Sequence, residues 1–170
     1  AGRSNKHNQK VDGMKQLLDL RVVSNEPQGA RCNLLRLTAD APLPEVQPGQ
    51  FVNVRIDKAP HTFLRRPISI NYIDKEKNEL WLLVQKVGEG TQTLAATPVG
   101  ETVNVLMPLG NGFALPQKKE KVLLVGGGVG VAPLLYVGQC LKEAGHEPIF
   151  LLGARSASDI LELELFEKIA

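Results

Sequence analysis

The chain has 170 residues, of which 43% are hydrophobic and 22% are charged, proportions that are ordinary for a globular protein. Its formal net charge of +2 is close to neutral and its basic residues are dispersed, so nucleic acid is not expected as a partner. The two cysteines, Cys32 and Cys140, form no Cys-x-x-Cys pair, which argues against a disulfide framework or zinc site and favours a reducing cytoplasm. No apolar run reaches membrane-spanning length.

The polar segment 1–13, AGRSNKHNQKVDG, shows no hydrophobic pattern before Met14. No signal-peptide pattern opens the chain either. We interpret residues 1–13 as an expression leader, with Met14 as the native start, and assign them no part in the fold.

Residues 14–114 form the first predicted domain, in which short β-like segments alternate with turn residues. The segment FVNVRI, for example, alternates apolar and polar residues as a half-buried strand does. A short helix is predicted at 91–96, between Gly90 and Pro98. Six strands at this spacing, without long helices, predict a small antiparallel barrel. The predicted strands cover 16–23, 31–38, 51–56, 67–72, 80–87 and 101–107.

The segment FLRRPISI, residues 63–70, places two arginines and a proline in a run that otherwise suits a strand. Pro67 confines Arg66 to an extended conformation and removes a ladder donor, so this strand is expected at an edge or a bulge. An arginine held so rigidly indicates an anionic group nearby. For Arg65 we expect a surface position in which its stem covers the barrel.

After Gly112 the pattern changes, and a charged linker at 115–121 precedes the second predicted domain, 122–170. A buried-type strand, a glycine turn and a helix occur there, and the order strand, turn, helix then repeats. This alternation is typical of a parallel, doubly wound sheet. Two parallel strands are too few to cover both faces of such a sheet, so we expect this domain to be incomplete.

The glycine turn VGGGVGVAP, residues 125–133, joins the first of these strands to its helix, which Pro133 opens. Glycines let a ligand approach the backbone, and the free amides at a helix start favour an anion. A dinucleotide pyrophosphate at 127–130 is therefore predicted, the alternative being a tight turn without a ligand. In GARSAS, residues 153–158, Arg155 could accept a 2′-phosphate, whereas Asp159 is expected to start a helix. The choice between NAD and NADP stays open.

A barrel with Arg66-Pro67-Ile68-Ser69, followed by a glycine-rich nucleotide turn, resembles the ferredoxin–NADP reductase superfamily. The resemblance implies a barrel that binds FAD and a second domain that binds NAD. It also implies that Arg66 faces the phosphate portion of the flavin and that Ser69 hydrogen-bonds near the ring. Ile68 stands where the usual Arg-x-Tyr-Ser pattern has a stacking tyrosine.

The order of the motifs is similar to that in the electron-transfer subunits of two-subunit bacterial dihydroorotate dehydrogenases. These motifs are RRPISI, KVGEGTQTL at 86–94, PLGNGF at 108–113, VGGGVGVAPLL and GARSASDIL. By this resemblance Gly90 and Thr91 meet the pyrophosphate through backbone and hydroxyl. The implied FAD contacts are Arg66, Pro67, Ile68, Ser69, Leu83, Val84, Gln85, Gly90 and Thr91, and the implied NAD contacts are Gly127, Gly128 and Gly130.

The resemblance implies a cytoplasmic flavoprotein oxidoreductase that moves electrons between a dihydroorotate-oxidising catalytic subunit and NAD, in pyrimidine biosynthesis and within a heterotetramer. It also implies a 2Fe-2S cluster, but such a cluster needs four thiolates and the chain has two cysteines, so no cluster is assigned. No catalytic side chain and no metal ligand is predicted. The carboxylates Glu162, Glu164 and Glu167 are expected on a solvated helix face.

Two rival functions share these motifs. One is a reductase of the same superfamily that serves a hydrogenase or an oxygenase. The other is a non-enzymatic, partner-binding barrel whose glycine turn is only structural. Co-purification with a dihydroorotate-oxidising partner would separate the dihydroorotate-linked function from the first rival. A chain without bound flavin would indicate the second rival.

Overall fold

The structure is a computed structural model that describes residues 14–170. The leader predicted at residues 1–13 lies outside the described residues. No helix within 14–170 combines the length and the apolar character needed to cross a membrane.

Six antiparallel strands close into a barrel in the order β1-β2-β5-β4-β3-β6, which confirms the predicted fold of the first half. Their inward side chains are apolar at every second position, as strands with one buried face require. The strands are β1 (Gln16–Gln28), β2 (Cys32–Thr38), β3 (Phe51–Val54), β4 (Arg66–Asp74), β5 (Glu79–Gln85) and β6 (Thr102–Leu109).

Five strands of the barrel differ from their predicted bounds by one or two residues at one or both ends, whereas β1 is five residues longer than predicted. β1 continues through the apparent turn EPQ to Gln28, because Pro27 and Gln28 lie opposite Asn33 and Cys32 of β2. The turn itself shrinks to residues 29–31, where Gly29 takes a φ of +60°. The short helix α1 (Glu89–Ala95) begins two residues before the predicted start.

The second half repeats strand, turn and helix, as predicted, and its two strands pair in parallel. β7 (Lys121–Gly127) leads through a 3-10 turn at residues 128–131 into α2 (Ala132–Glu143). β8 (Glu147–Gly153) follows, and α3 (Leu163–Ile169) ends the chain. Residues 110–120 form neither helix nor strand, and the division into a 14–114 domain, a 115–121 linker and a 122–170 domain stays a prediction.

The second half packs on the barrel through a continuous apolar seam. Leu34 and Leu83 from the barrel share one buried cluster with Leu135 and Phe166 from the second half. Tyr136 of α2 lies in the core cluster of the barrel itself. Buried side chains therefore hold the two halves together, so a binding site can draw residues from both.

Candidate functional site

β4 and β5 separate at one end, and the predicted flavin contacts lie along this opening. Their pairing runs from Asp74 opposite Glu79 to Ile70 opposite Leu82 and stops there. Beyond that point, residues 66–69 pair with β3 and residues 83–85 pair with β2, so the two segments face each other unpaired. A closed barrel thus contains a local edge.

The local edge explains how Pro67 fits into a strand. Ile70 donates its N–H towards β3, to the Gln50 carbonyl at 3.1 Å. Because successive residues of a strand direct their amides to opposite sides, the nitrogen of Pro67 faces the unpaired side, where no ladder donor is needed. The edge position predicted for Pro67 is confirmed. The N–H of Ser69 faces the same opening and is available to a ligand.

Arg66 lies against the first turn of α1. Its Nη1 donates to the Leu64 carbonyl at 3.0 Å, and no carboxylate within residues 14–170 pairs with it. A Cβ on Gly90 would lie 3.0 Å from Arg66 Nε and 3.0 Å from Thr62 Cγ2. Glycine therefore permits the close approach of the guanidinium to the free amides of this turn. A cation without a counter-ion beside free N–H groups suits a phosphate.

The Thr91 hydroxyl is engaged within the chain. It accepts hydrogen bonds from the Val87 and Gly88 amides at 2.9 and 3.1 Å and lies 3.1 Å from the Gly88 carbonyl, to which it donates. These bonds fix the turn between β5 and α1. Because the Thr91 hydroxyl is already satisfied, only the backbone amide of Thr91 remains for a ligand.

The other predicted flavin residues contribute backbone and shape. Leu83 and Val84 are buried in the seam and in the barrel core respectively, so only their backbone can reach a ligand. Ile68 packs against the barrel core, and Pro67 and Ser69 are exposed. The role of each as a cofactor contact remains a prediction.

Arg65 has a structural role that differs from the predicted surface position. It is half-buried, and its guanidinium donates to the Asn53 and Asn104 carbonyls at 3.2 and 3.3 Å and to the side-chain Oδ1 of Asn104. Its neighbour Arg66 points the other way along the strand alternation. Arg65 thus ties the start of β4 to β3 and β6, while Arg66 lies beside the opening.

The glycines at the end of β7 and in the turn that follows it fall into two groups. A Cβ on Gly126 would lie 2.7 Å from Leu134 Cδ1, so helix packing requires that glycine. A Cβ on Gly128 or Gly130 would meet no atom within 4 Å, and on Gly127 the nearest atom is the Gly153 carbonyl oxygen at 3.8 Å. The last three glycines border open space, as a backbone that a ligand approaches must do. Gly128 also takes a left-handed φ of +54°.

Gly127 and Gly128, but not Gly130, line a cavity of about 640 Å³ between the barrel and the carboxyl ends of β7 and β8. Gly127 and Gly128 line one wall, with Gly153 and Arg155 from the next strand. The barrel supplies the opposite wall with residues 28–32 and Gln85. The structure therefore brings Gln85 of the predicted flavin set next to the glycine turn. Asp159 lines the cavity from a 3-10 turn. The expectation that it starts a helix is wrong, because α3 begins at Leu163.

Glu162 is buried, and the prediction of a solvated position for it is wrong. It lies in the seam with a left-handed φ of 57°, and its Oε2 accepts a hydrogen bond from Asn71 Nδ2 at 2.9 Å. Asn71 Nδ2 also donates to the Ala132 carbonyl at 2.9 Å. Burial raises the pKa of Glu162 to about 7, against smaller lowering effects of the Asn71 hydrogen bond and the Arg36 charge. Glu164 and Glu167 are exposed, as predicted.

Metal binding finds no support in the described residues. No three His, Cys, Asp or Glu side chains between residues 14 and 170 come together as a metal site. Cys32 is buried in the seam and Cys140 is half-buried on α2, and both are free. The cysteines of this chain do not fit a 2Fe-2S cluster, which requires four ligands.

No protein-family model matches the chain. It is 47% identical over 125 residues to the electron transfer subunit of dihydroorotate dehydrogenase B (NAD(+)) from Shouchella clausii, covering 72% of this chain and 48% of the relative. The subunit of the same name from Bacillus cereus is 39% identical over 152 residues, which cover 87% of this chain and 58% of the relative. The chain thus spans about half the length of these curated relatives.

Solved structures show the same fold. An NADH-dependent reduced ferredoxin-NADP oxidoreductase matches with a TM-score of 0.74 at 29% identity, over 88% of this chain and 53% of that one. A cytochrome P450 reductase from Amycolatopsis matches with a TM-score of 0.78 at 27% identity, over 93% and 49% respectively. The fold and the curated relatives agree with the motif order in the sequence. The curated relatives at 39–47% identity are thus electron transfer subunits of dihydroorotate dehydrogenase B, and the solved structures with this fold are ferredoxin-NADP reductase-like.

Proposed function

We propose that the chain is the FAD-binding and NAD-binding part of an electron transfer subunit, which moves electrons between a dihydroorotate-oxidising partner and NAD in pyrimidine biosynthesis. The approach of Arg66 to Gly90 carries this proposal. A guanidinium without a carboxylate partner lies beside free amides, at the end of an opening between two strands. The relatives' names supply the reaction class.

The residues around the opening fit FAD. Arg66 would neutralise a phosphate, and the amides of Gly90 and Thr91 would donate to its oxygens. Residues 67–69 and 83–85 would hold the flavin ring through backbone groups, with the N–H of Ser69 facing the opening. Buried Leu83 and Val84 keep water from the rear of this site. The bound FAD would supply hydride and single-electron chemistry.

The glycine turn fits the pyrophosphate of NAD. Gly127 and Gly128 line a cavity that no side chain fills, and Gln85 brings the flavin opening to the edge of the same cavity. No acid–base side chain is proposed, because the cofactor carries the reaction. The chain's own contribution is to bind and orient the two ligands.

The first test is the visible absorption spectrum of the purified chain, with the released cofactor identified by chromatography. Bound or reconstituted FAD is expected. Arg66→Gln should weaken FAD binding at least about tenfold, the size of one charge-assisted hydrogen bond. Arg55→Gln is the matched control, since Arg55 is an exposed arginine bonded to Asp57 outside the opening. A colourless chain that takes up no added FAD would refute the proposal.

The partner requires a separate experiment. The whole protein, co-expressed with a candidate dihydroorotate-oxidising subunit, should co-purify with it and reduce NAD when dihydroorotate is added. Solved relatives include a phthalate dioxygenase reductase at 25% identity and a TM-score of 0.72, so an oxygenase partner is the second candidate. Reduction of a ferredoxin-type acceptor without association with the first partner would favour that second candidate.

A further inference from the structure

The turn between β1 and β2 forms the barrel wall of the nucleotide cavity. A Cβ on Gly29 would lie 3.9 Å from Leu161 Cδ2 and 4.0 Å from the Ser158 carbonyl oxygen, so this turn reaches the loop that follows β8. Arg31 is the charged residue of the turn and lines the cavity. The cavity is thus bounded by both halves of the chain.

The backbone at Arg31 is held in place. Lys86 donates its amide to the Arg31 carbonyl at 2.8 Å, and the next residue, Cys32, lies opposite Gln85 in the β2–β5 ladder. Cys32 itself is only 3% exposed. The Arg31 side chain therefore starts from a fixed point at the rim of the barrel, directly opposite the glycine turn.

The arginines of the described chain divide by whether they have a partner. Arg21, Arg36 and Arg55 form ion pairs, and Arg65 and Arg66 donate to carbonyl groups. Within residues 14–170, the side chains of Arg31 and Arg155 have neither an ion pair nor a hydrogen bond, and both residues line this cavity. The acidic lining residue, Asp159, accepts a hydrogen bond from Ser156 Oγ at 2.8 Å.

Two guanidinium groups without partners, on opposite walls of one cavity, match a ligand with more than one anionic group. Guanidinium binds phosphate oxygens in a fixed fork, through charge-assisted hydrogen bonds. The glycine turn offers backbone amides to the same ligand. A dinucleotide carries a pyrophosphate and, in the NADP series, a further 2′-phosphate.

We propose that Arg31 of the barrel binds a phosphate group of the nicotinamide dinucleotide, together with Arg155, so that the nucleotide site is shared between the barrel and the glycine turn. The inference rests on the proposed function, because it concerns the same nucleotide. It goes further in making the barrel a part of the NAD site and Arg31 a determinant of nucleotide affinity.

The test is direct binding of NADH and of NADPH to the chain loaded with FAD that has been reduced beforehand under anaerobic conditions, so that no hydride is transferred. Nucleotide fluorescence reports the binding at low and at high salt. Arg31→Gln should raise the Kd by about 10- to 100-fold at low salt, the loss of one charge-assisted contact. The difference should shrink at high salt, where the charge is screened. The control is Arg21→Gln, because Arg21 is an exposed arginine of β1 outside the cavity. This variant should leave the Kd within about twofold of the wild-type value.

The two nucleotides identify which phosphate is bound. An equal loss for NADH and NADPH assigns Arg31 to the pyrophosphate, and a loss confined to NADPH assigns it to the 2′-phosphate. Unchanged Kd values for both nucleotides in Arg31→Gln, with FAD content and thermal unfolding also unchanged, overturn the inference and leave the proposed function in place. A wild-type chain that holds FAD but binds neither nucleotide overturns the inference as well.

Discussion

Glu162→Gln is expected to stabilise the protein at about pH 8. It should also remove most of the loss of stability that the wild type shows between about pH 4.5 and 7. Glu162 is 6% exposed and Asn71 is 0% exposed, and one hydrogen bond joins them. The other carboxylate oxygen, Glu162 Oε1, and the amide oxygen, Asn71 Oδ1, have no partner within the described structure. A buried carboxylate with one donor is costly in its charged form.

The direction follows from the raised pKa. Burial raises the pKa of Glu162 from 4.5 to about 7 in the folded chain. The folded state therefore binds the proton more tightly than the unfolded state does, and the stability that this gives is fully present below about pH 4.5. It is lost as the pH rises towards about 7 and stays lost above that value. At about 1.4 kcal/mol for each pH unit, this interval amounts to about 3 kcal/mol.

Glutamine keeps the shape of glutamate and cannot ionise. Its Nε2 can donate to Asn71 Oδ1 while its Oε1 accepts from Asn71 Nδ2, so both atoms without partners are satisfied. The free energy of unfolding of Glu162→Gln should exceed that of the wild type by up to about 3 kcal/mol at about pH 8, and the difference should vanish at about pH 4.5.

Urea unfolding at several pH values between about 4.5 and 8 measures this difference directly. Glu164→Gln, on the exposed side of α3, is the control and should follow the wild-type pH dependence. Parallel curves for wild type and Glu162→Gln would refute the reasoning, because the carboxyl would then titrate alike in the folded and unfolded chains.

Three further outcomes are expected. Gly138→Ala should lower stability by about 1–3 kcal/mol in thermal unfolding, because its Cβ would lie 2.3 Å from Phe150 Cζ. Leu82→Ala should cost about 2–5 kcal/mol in urea unfolding, since Leu82 is fully buried in the barrel, whereas Leu17→Ala, at a position 61% exposed, should cost less than about 0.5 kcal/mol. Cys32 should resist alkylation, measured by mass spectrometry, until denaturant is added, because burial raises the pKa of its thiol. Rapid alkylation of the native chain, or equal costs for the two leucine variants, would contradict these expectations.

The barrel was predictable because its signals are local. Alternation in FVNVRI predicts which side chains face inward, and the structure has the same alternation in β3. In β4 the alternation holds as far as Ile70 and then breaks, because Asn71 is buried as well. The segment EPQ was misassigned because its composition suits a turn. Its actual state depends on Asn33 and Cys32 across the hairpin, and no local pattern reveals that pairing.

The buried carboxylate was not predictable for a related reason. Glu162 precedes a short helix whose other acidic residues are exposed, so its position along the chain indicates a solvated face. Its burial depends on β4 of the barrel, which lies far away in sequence and provides Asn71. A possible signal was the polar Asn71 between Ile70 and Tyr72, since a buried amide needs a partner.

Asn71 also explains how two distant motifs acquire a fixed spacing. It follows Ser69 of the predicted flavin strand by two residues, and its amide donates to the carbonyl of Ala132, which follows Gly130 of the glycine turn by two residues. The distance between the two predicted ligand sites is therefore set by short covalent segments and one hydrogen bond. The long connection at residues 110–120 need not set it. A buried amide costs stability unless its partners are in place, so this contact favours one arrangement of the two halves over others.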